Sequence, residues 1–96
     1  MLPGVRTSPA RVPLEVHVVT PEEALTLAAR ELATAQHAFP PFRSPHEGYA
    51  ILLEELDELW LEIKNDKNTP EWRVGRMRHE AMQIAAMSLR FMVDLA

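Results

Sequence analysis

One short pattern recurs three times in the chain: Thr20 and Pro21, Ser44 and Pro45, and Thr69 and Pro70, each followed closely by glutamate. A Ser or Thr hydroxyl can accept from the free N–H groups of a first helical turn. Proline fits the first helical position, where its missing N–H has no helical partner, and an acid there faces the positive end of the helix dipole. Each occurrence therefore predicts a helix start. The stops are as clear: "FPPFRSP" carries three prolines and forbids helical continuation, and "NDKNTP" breaks the chain again. The expectation is three helices, from Pro21 to about His37, from Pro45 to about Lys64, and from Pro70 towards the C-terminus. Glu23 and Glu47 each stand three residues after their cap, the spacing of a capping box.

Three helices with short connections make an all-α bundle. Residues 1–14 carry Pro3, Pro9 and Pro13 with Gly4, which suits neither helix nor strand. The segment "EVHVV" has strand propensity but no partner strand. Residues 1–19 are expected to form an extended or mobile arm, and residues 20–96 a single all-α domain. A domain of this length has a small core, so the bundle is expected to be completed by oligomerisation.

Charge and composition narrow the function. A net charge of −4 gives no field to attract a polyanion, so nucleic acid is not an expected partner. There is no cysteine, hence no disulfide framework or thiolate site. The apolar C-terminal stretch is interrupted by Gln83, Ser88, Arg90 and Asp94 and cannot span a bilayer. With no signal-peptide layout at the N-terminus, a cytoplasmic protein without a membrane partner is expected.

The acids of "ILLEELDELWLEIK" carry the chemistry. At about 100° per residue, Tyr49, Leu52, Leu53, Leu56, Leu59, Trp60 and Ile63 fall on one arc, the expected core face. Glu55, Glu58 and Glu62 cluster beside it, whereas Glu54 and Asp57 point further round. No Lys or Arg lies between Arg43 and Lys64 to pair with them. Carboxylates three and four apart on one side repel unless a cation neutralises them, and hard oxygen ligands suit Mg²⁺ or Mn²⁺. An acidic solvent face is the competing account.

The third helix has Met82, Ala85, Ala86, Leu89, Met92 and Val93 around most of its circumference, which predicts burial on nearly all sides. Arg76, Glu80, Gln83, Arg90 and Asp94 share one narrow polar stripe, with His79 at its margin. Such a stripe must be satisfied by partners: either a ligand or metal, or an internal network of ion pairs.

"EELDE" and, further on, "EAMQ" resemble the ExxE and ExxD motifs of the MazG-like all-α nucleoside triphosphate pyrophosphohydrolases, and the stretch from His46 to Leu95 is similar to short phage and bacterial members. The resemblance implies a bundle completed in a homodimer or homotetramer, and acids from two helices holding Mg²⁺, with Mn²⁺ as the alternative ion. By position, Glu55, Glu58 and Glu80 match metal-ligand acids. Gln83 stands where the pattern has Asp, so it brings a carbonyl ligand but no charge. The implied activity is hydrolysis of a nucleoside triphosphate to a monophosphate and pyrophosphate. Glu54 is the acid placed to orient water beside Glu55 and Glu58, and Arg76, Lys64, Lys67 and Arg73 are candidate phosphate contacts. For Lys64 and Lys67 a solvated loop is the simpler account. Trp60 is expected in the core, Trp72 is open to either role, and the histidines lack zinc-like spacing.

The alternative function is a catalytically inactive MazG-like oligomer that binds a nucleotide or a protein, favoured by Gln83. A coiled-coil-like interaction module is a further alternative, because Leu61 points away from the expected core stripe.

Overall fold

A computed structural model of the chain describes residues 18–65 and 70–95. The expected arm over residues 1–14, most of "EVHVV", and Lys67 and Thr69 lie outside the described residues. Among those described there are only helices: α1 (Pro21–Ala38), α2 (Pro45–Lys64) and α3 (Pro70–Leu95). All three starts and both inner ends fall within a residue or so of the sequence expectation. Val18 and Val19 form no strand.

The caps explain the first two starts. Thr20 Oγ1 accepts from the Glu23 N–H at 3.1 Å while Glu23 returns a carboxylate to the Thr20 N–H at 2.9 Å, a complete capping box. Ser44 accepts from the Glu47 N–H in the same way. The Glu47 carboxylate, however, reaches past the cap to the Arg43 N–H at 2.6 Å and lies 3.6 Å from the Arg43 guanidinium. Both devices satisfy N–H groups that would otherwise face no acceptor.

Helices α1 and α2 each pack on α3 and make no contact with one another. The described residues form a body of 51 × 27 × 22 Å. Its core is small: Ala35, Phe42, Ala86 and Met87, with Ile51, Leu52, Phe91 and Leu95 packed against them. Towards the other end, the Arg73 guanidinium donates to the Ile63 carbonyl and ties the start of α3 to the end of α2.

The loop between α1 and α2 is fastened to α3 by a buried charge. The Arg90 guanidinium donates to the Pro40 carbonyl, lies 4.2 Å from the Phe42 ring centroid and pairs with Asp94 at 3.5 Å. Asp94 in turn accepts from the Phe42 N–H at 2.9 Å. Arg90 and Asp94 are the internal ion pair that the sequence offered as one account of the polar stripe.

Several faces differ from expectation. The stripe Tyr49, Leu53, Leu56, Trp60 and Ile63 is not in the core; these side chains are between 39% and 65% exposed. The side of α2 turned to α3 carries Gly48, Ile51, Leu52 and Glu55 instead, about a quarter turn away. Nor is α3 buried all round, because two helices cannot enclose it: Ala85, Met92 and Val93 are exposed. Helical spacing predicts one inward stripe on α1 from Leu25, Ala28, Ala29, Leu32 and Ala35, yet Ala28 and Ala35 are buried and Leu25 is exposed; of Phe39 and Phe42, both expected against the core, only Phe42 is inside, with Phe39 left 62% exposed.

At Gly48, α2 lies tight against α3. A Cβ added there would stand 2.6 Å from Phe91 Cδ2, 2.9 Å from Cε2 and 3.2 Å from Leu95 Cδ1. Alanine gains up to about 1 kcal/mol of helix propensity over glycine, whereas overpacking costs about 1–3 kcal/mol. Gly48→Ala should therefore lower the unfolding free energy by about 1 kcal/mol, measured by urea titration. A more stable variant would show that the two helices have room to separate.

Candidate metal centre and the adjoining cleft

Residues three apart on one side of a helix lie nearly above one another, so Glu55 and Glu58 project together from α2. The polar stripe of α3 delivers Glu80 opposite them. One carboxylate oxygen from each of Glu55, Glu58 and Glu80 lies within 4.8 Å of the others. Two segments separated by a loop thus bring three carboxylates together.

The electrostatics of the cluster are unfavourable without a cation. Burial pushes the Glu55 carboxyl above its ordinary range, and the charges of Glu58 and Glu80 push it further. Glu80 is raised for the same first reason, then by Glu58, which is within hydrogen-bonding reach of both. His79 opposes the rise at each. Glu55 Oε1 is buried and has no hydrogen-bond partner. A divalent cation bound by oxygen ligands answers both conditions, since it satisfies an orphaned acceptor and neutralises crowded carboxylates. The residues present fit such an ion.

Glu62 stands apart from the triad because Arg76 holds it at 2.8 Å. That pair depresses the Glu62 carboxyl, chiefly through the hydrogen bond from the guanidinium, and raises Arg76 in return. The polar stripe of α3 is therefore of two kinds. Ion pairs occupy its ends, Arg76 with Glu62 and Arg90 with Asp94. Glu80 and Gln83 stand between them, Glu80 facing acids rather than a base.

The other expected site residues are dispersed. Lys64 lies over the Trp60 ring at 5.4 Å, on the surface rather than over the cluster. Arg73 is engaged with the Ile63 carbonyl. Arg76, His79 and Glu80 border a concavity of about 360 Å³ together with Trp72, so of the expected phosphate contacts Arg76 is the one beside the cluster. Glu54 is exposed and lines a different space with Glu55 and Gln83. This is a cleft of about 450 Å³ in the gap between α1 and α2, floored by α3 and closed at one end by the proline loop. Sequence reasoning missed this cleft. Its one signal was the length of the proline-bearing connection, which holds two helices apart.

No protein-family model, curated protein or solved structure matches this chain. The likeness to the MazG-like family rests on the motif residues themselves. No helix among the described residues is long and apolar enough to cross a membrane.

The raised carboxyls make stability depend on pH. A group that holds its proton more tightly when folded contributes stability that is full below the unfolded value near 4.5 and is lost as pH rises through the raised values. Glu62 runs the other way: its contribution is present above 4.5 and is lost as pH falls through its depressed value. Glu58→Gln removes the charge that faces both raised groups while keeping a polar side chain of the same length. With divalent ions chelated, it should stabilise the fold at neutral pH by on the order of 1 kcal/mol after solvent screening. It should also flatten the loss of stability above pH 4.5. Urea unfolding across the acidic and neutral range measures both, and an unchanged profile would mean that the three acids do not repel one another in solution.

Proposed function

We propose that the protein is a Mg²⁺-dependent nucleoside triphosphate pyrophosphohydrolase, releasing a monophosphate and pyrophosphate. The observation that carries this reading is the convergence of Glu55, Glu58 and Glu80 from two helices, with Glu55 Oε1 buried and unpartnered. The motif resemblance supports it.

In this reading Glu55, Glu58 and Glu80 hold the ion, with Mn²⁺ as a substitute, and Gln83 contributes at most a neutral carbonyl oxygen. When bound, Mg²⁺ neutralises charge on the phosphate oxygens and lowers the pKa of bound water. Glu54, next to the cluster and solvent-exposed, orients the water that attacks. Arg76 supplies positive charge on the side of the cluster bordered by Trp72 and His79, and must share its guanidinium between phosphate and Glu62. Arg73, Lys64 and Lys67 act, where they act, as outlying cations.

Association of identical chains belongs to the same reading. The exposed row Tyr49, Leu53, Leu56, Trp60 and Ile63 on α2 continues into an apolar groove of about 520 Å³ lined by Tyr49, Leu52 and Phe91. Burying a large apolar side chain is worth about 1.5–3 kcal/mol, so a homodimer or homotetramer that covers this row gains what the single chain leaves in water. The second reading, an inactive oligomer that binds a nucleotide or protein, is favoured by Gln83, whose amide lacks the charge of the motif's Asp.

Two measurements test these proposals. Purified full-length chain with Mg²⁺ or Mn²⁺ should release pyrophosphate from a nucleoside triphosphate, and Glu55→Gln or Glu80→Gln should slow release by about a hundredfold or more. No release from any common or modified triphosphate excludes the enzyme and favours the second reading. Light scattering should return the mass of a dimer or tetramer, and Leu56→Glu or Trp60→Glu should yield monomer; a monomeric wild type overturns the association.

A further inference from the structure

We propose that the chain segment preceding α1 turns back into the open cleft between α1 and α2, with Arg11 paired to Glu31 and Glu54 at the mouth and Pro9 against Phe39 further in. The grounds are separate from the hydrolase reading. Helices α1 and α2 pack on α3 and not on one another, so each leaves a face unpartnered above it. The gap has a volume of about 450 Å³, and its apolar lining comes from Ala35, Ile51, Met87 and the proline loop. Apolar surface there stays in water unless a further piece of chain covers it.

Charge selects the occupant. The lining residues furthest from the proline loop are Glu31 on α1, Glu54 and Glu55 on α2, and Gln83 on α3. Glu31 and Glu54 make no hydrogen bond or ion pair with another described residue. The two arginines of the lining are already committed, Arg43 to Glu47 and Arg90 to Asp94. The mouth is therefore acidic and lacks a cation of its own. The chain before α1 has the opposite balance, with Arg6 and Arg11 and no acid before Glu15. A guanidinium set between Glu31 and Glu54 replaces repulsion with two charge-assisted hydrogen bonds.

Reach and register agree with this. From the cap at Thr20 to Glu31 is about 17 Å along the axis of α1. The chain from Thr20 back to Arg11 spans up to about 30 Å when extended, so Arg11 meets Glu31 with slack. From Glu31 to Ala38 the cleft runs for about 10 Å, which about three extended residues cover. With Arg11 at the mouth, Ser8 then stands at the inner end and Pro9 beside the exposed ring of Phe39. Proline-bearing segments enter aromatic-lined grooves at small entropic cost, and proline brings no N–H that needs an acceptor.

The chain has no cysteine, so Ser8→Cys places a single nitroxide on the full-length protein. With divalent ions chelated, the label should broaden the amide NMR signals of Ala35, Ile51 and Gln83, which line the cleft, and leave Trp60 and Ile63 on the outer row sharp. Arg11→Glu should return the cleft signals to full intensity, and adding Glu31→Arg with Glu54→Arg should broaden them again, a reversal that loss of folding cannot produce. When nitroxide-bearing chains are unfolded and refolded together with isotope-labelled chains that carry no nitroxide, the cleft signals of the latter should stay sharp. Broadening in that mixture assigns the cleft to the arm of a second copy and overturns the inference. Broadening centred on Trp60 and Ile63, no broadening of the cleft signals, or broadening that persists in Arg11→Glu overturns it too.

Discussion

The arrangement of the whole chain depends on the buried guanidinium of Arg90. A charge that is only 6% exposed costs several kcal/mol to dehydrate unless its surroundings answer it. Asp94 supplies the opposite charge, the Pro40 carbonyl an acceptor and Phe42 a π face. Two of the four residues in this network, Pro40 and Phe42, whose N–H donates to Asp94, belong to a loop more than forty residues away in sequence. Fastening that loop to the C-terminal end of α3 fixes where α1 ends and α2 begins. The prolines then keep the two helices apart, so that each meets α3 and neither meets the other.

Between the fastened loop and the far end, α2 and α3 are held together at intervals. Gly48 admits the Phe91 ring near one end, and the Arg73 bond to Ile63 with the Arg76 pair to Glu62 closes the other. Glu55, Glu58 and Glu80 lie between these attachments. Left to themselves, such acids would turn outwards to water and separate. The flanking contacts keep the backbones close enough that burial and mutual repulsion raise the two inner carboxyls.

What the sequence revealed follows from how local each signal is. The caps at Thr20 and Ser44 are made by residues three apart, so helix starts could be read to the residue. The meeting of Glu55 and Glu58 with Glu80 was suggested by two polar groupings and by the spacing of the motifs, but an acidic solvent face and an internal ion-pair network fitted the same residues, and Arg76 and Arg90 do form such pairs. The working face of α2 was not legible. Helical angles relate residues to one another but do not say which side meets the partner, and an apolar row invites the assumption that it is the core. In this chain the acid-bearing side meets α3, while Leu53, Leu56 and Trp60 face outwards. The choice of Phe42 over Phe39 for the interior was hidden for another reason: it is made by Arg90 and Asp94, which stand about fifty residues downstream.

That rotation of α2 has a consequence for how binding and association share the helix. At about 100° per residue, Glu47, Ile51, Glu54 and Glu58 lie on one flank of the side that meets α3, and Tyr49, Leu53, Leu56, Trp60 and Ile63 on the opposite flank. The first flank borders the cleft and the acid cluster; the second is the exposed apolar row with its groove against Phe91. A second copy laid on the apolar row therefore leaves the cleft uncovered. Had the apolar row been the core, as its pattern suggested, the acids would sit at its margin without a helix opposite them. By giving its apolar face to the outside, α2 is free to carry carboxylates where α3 can meet them.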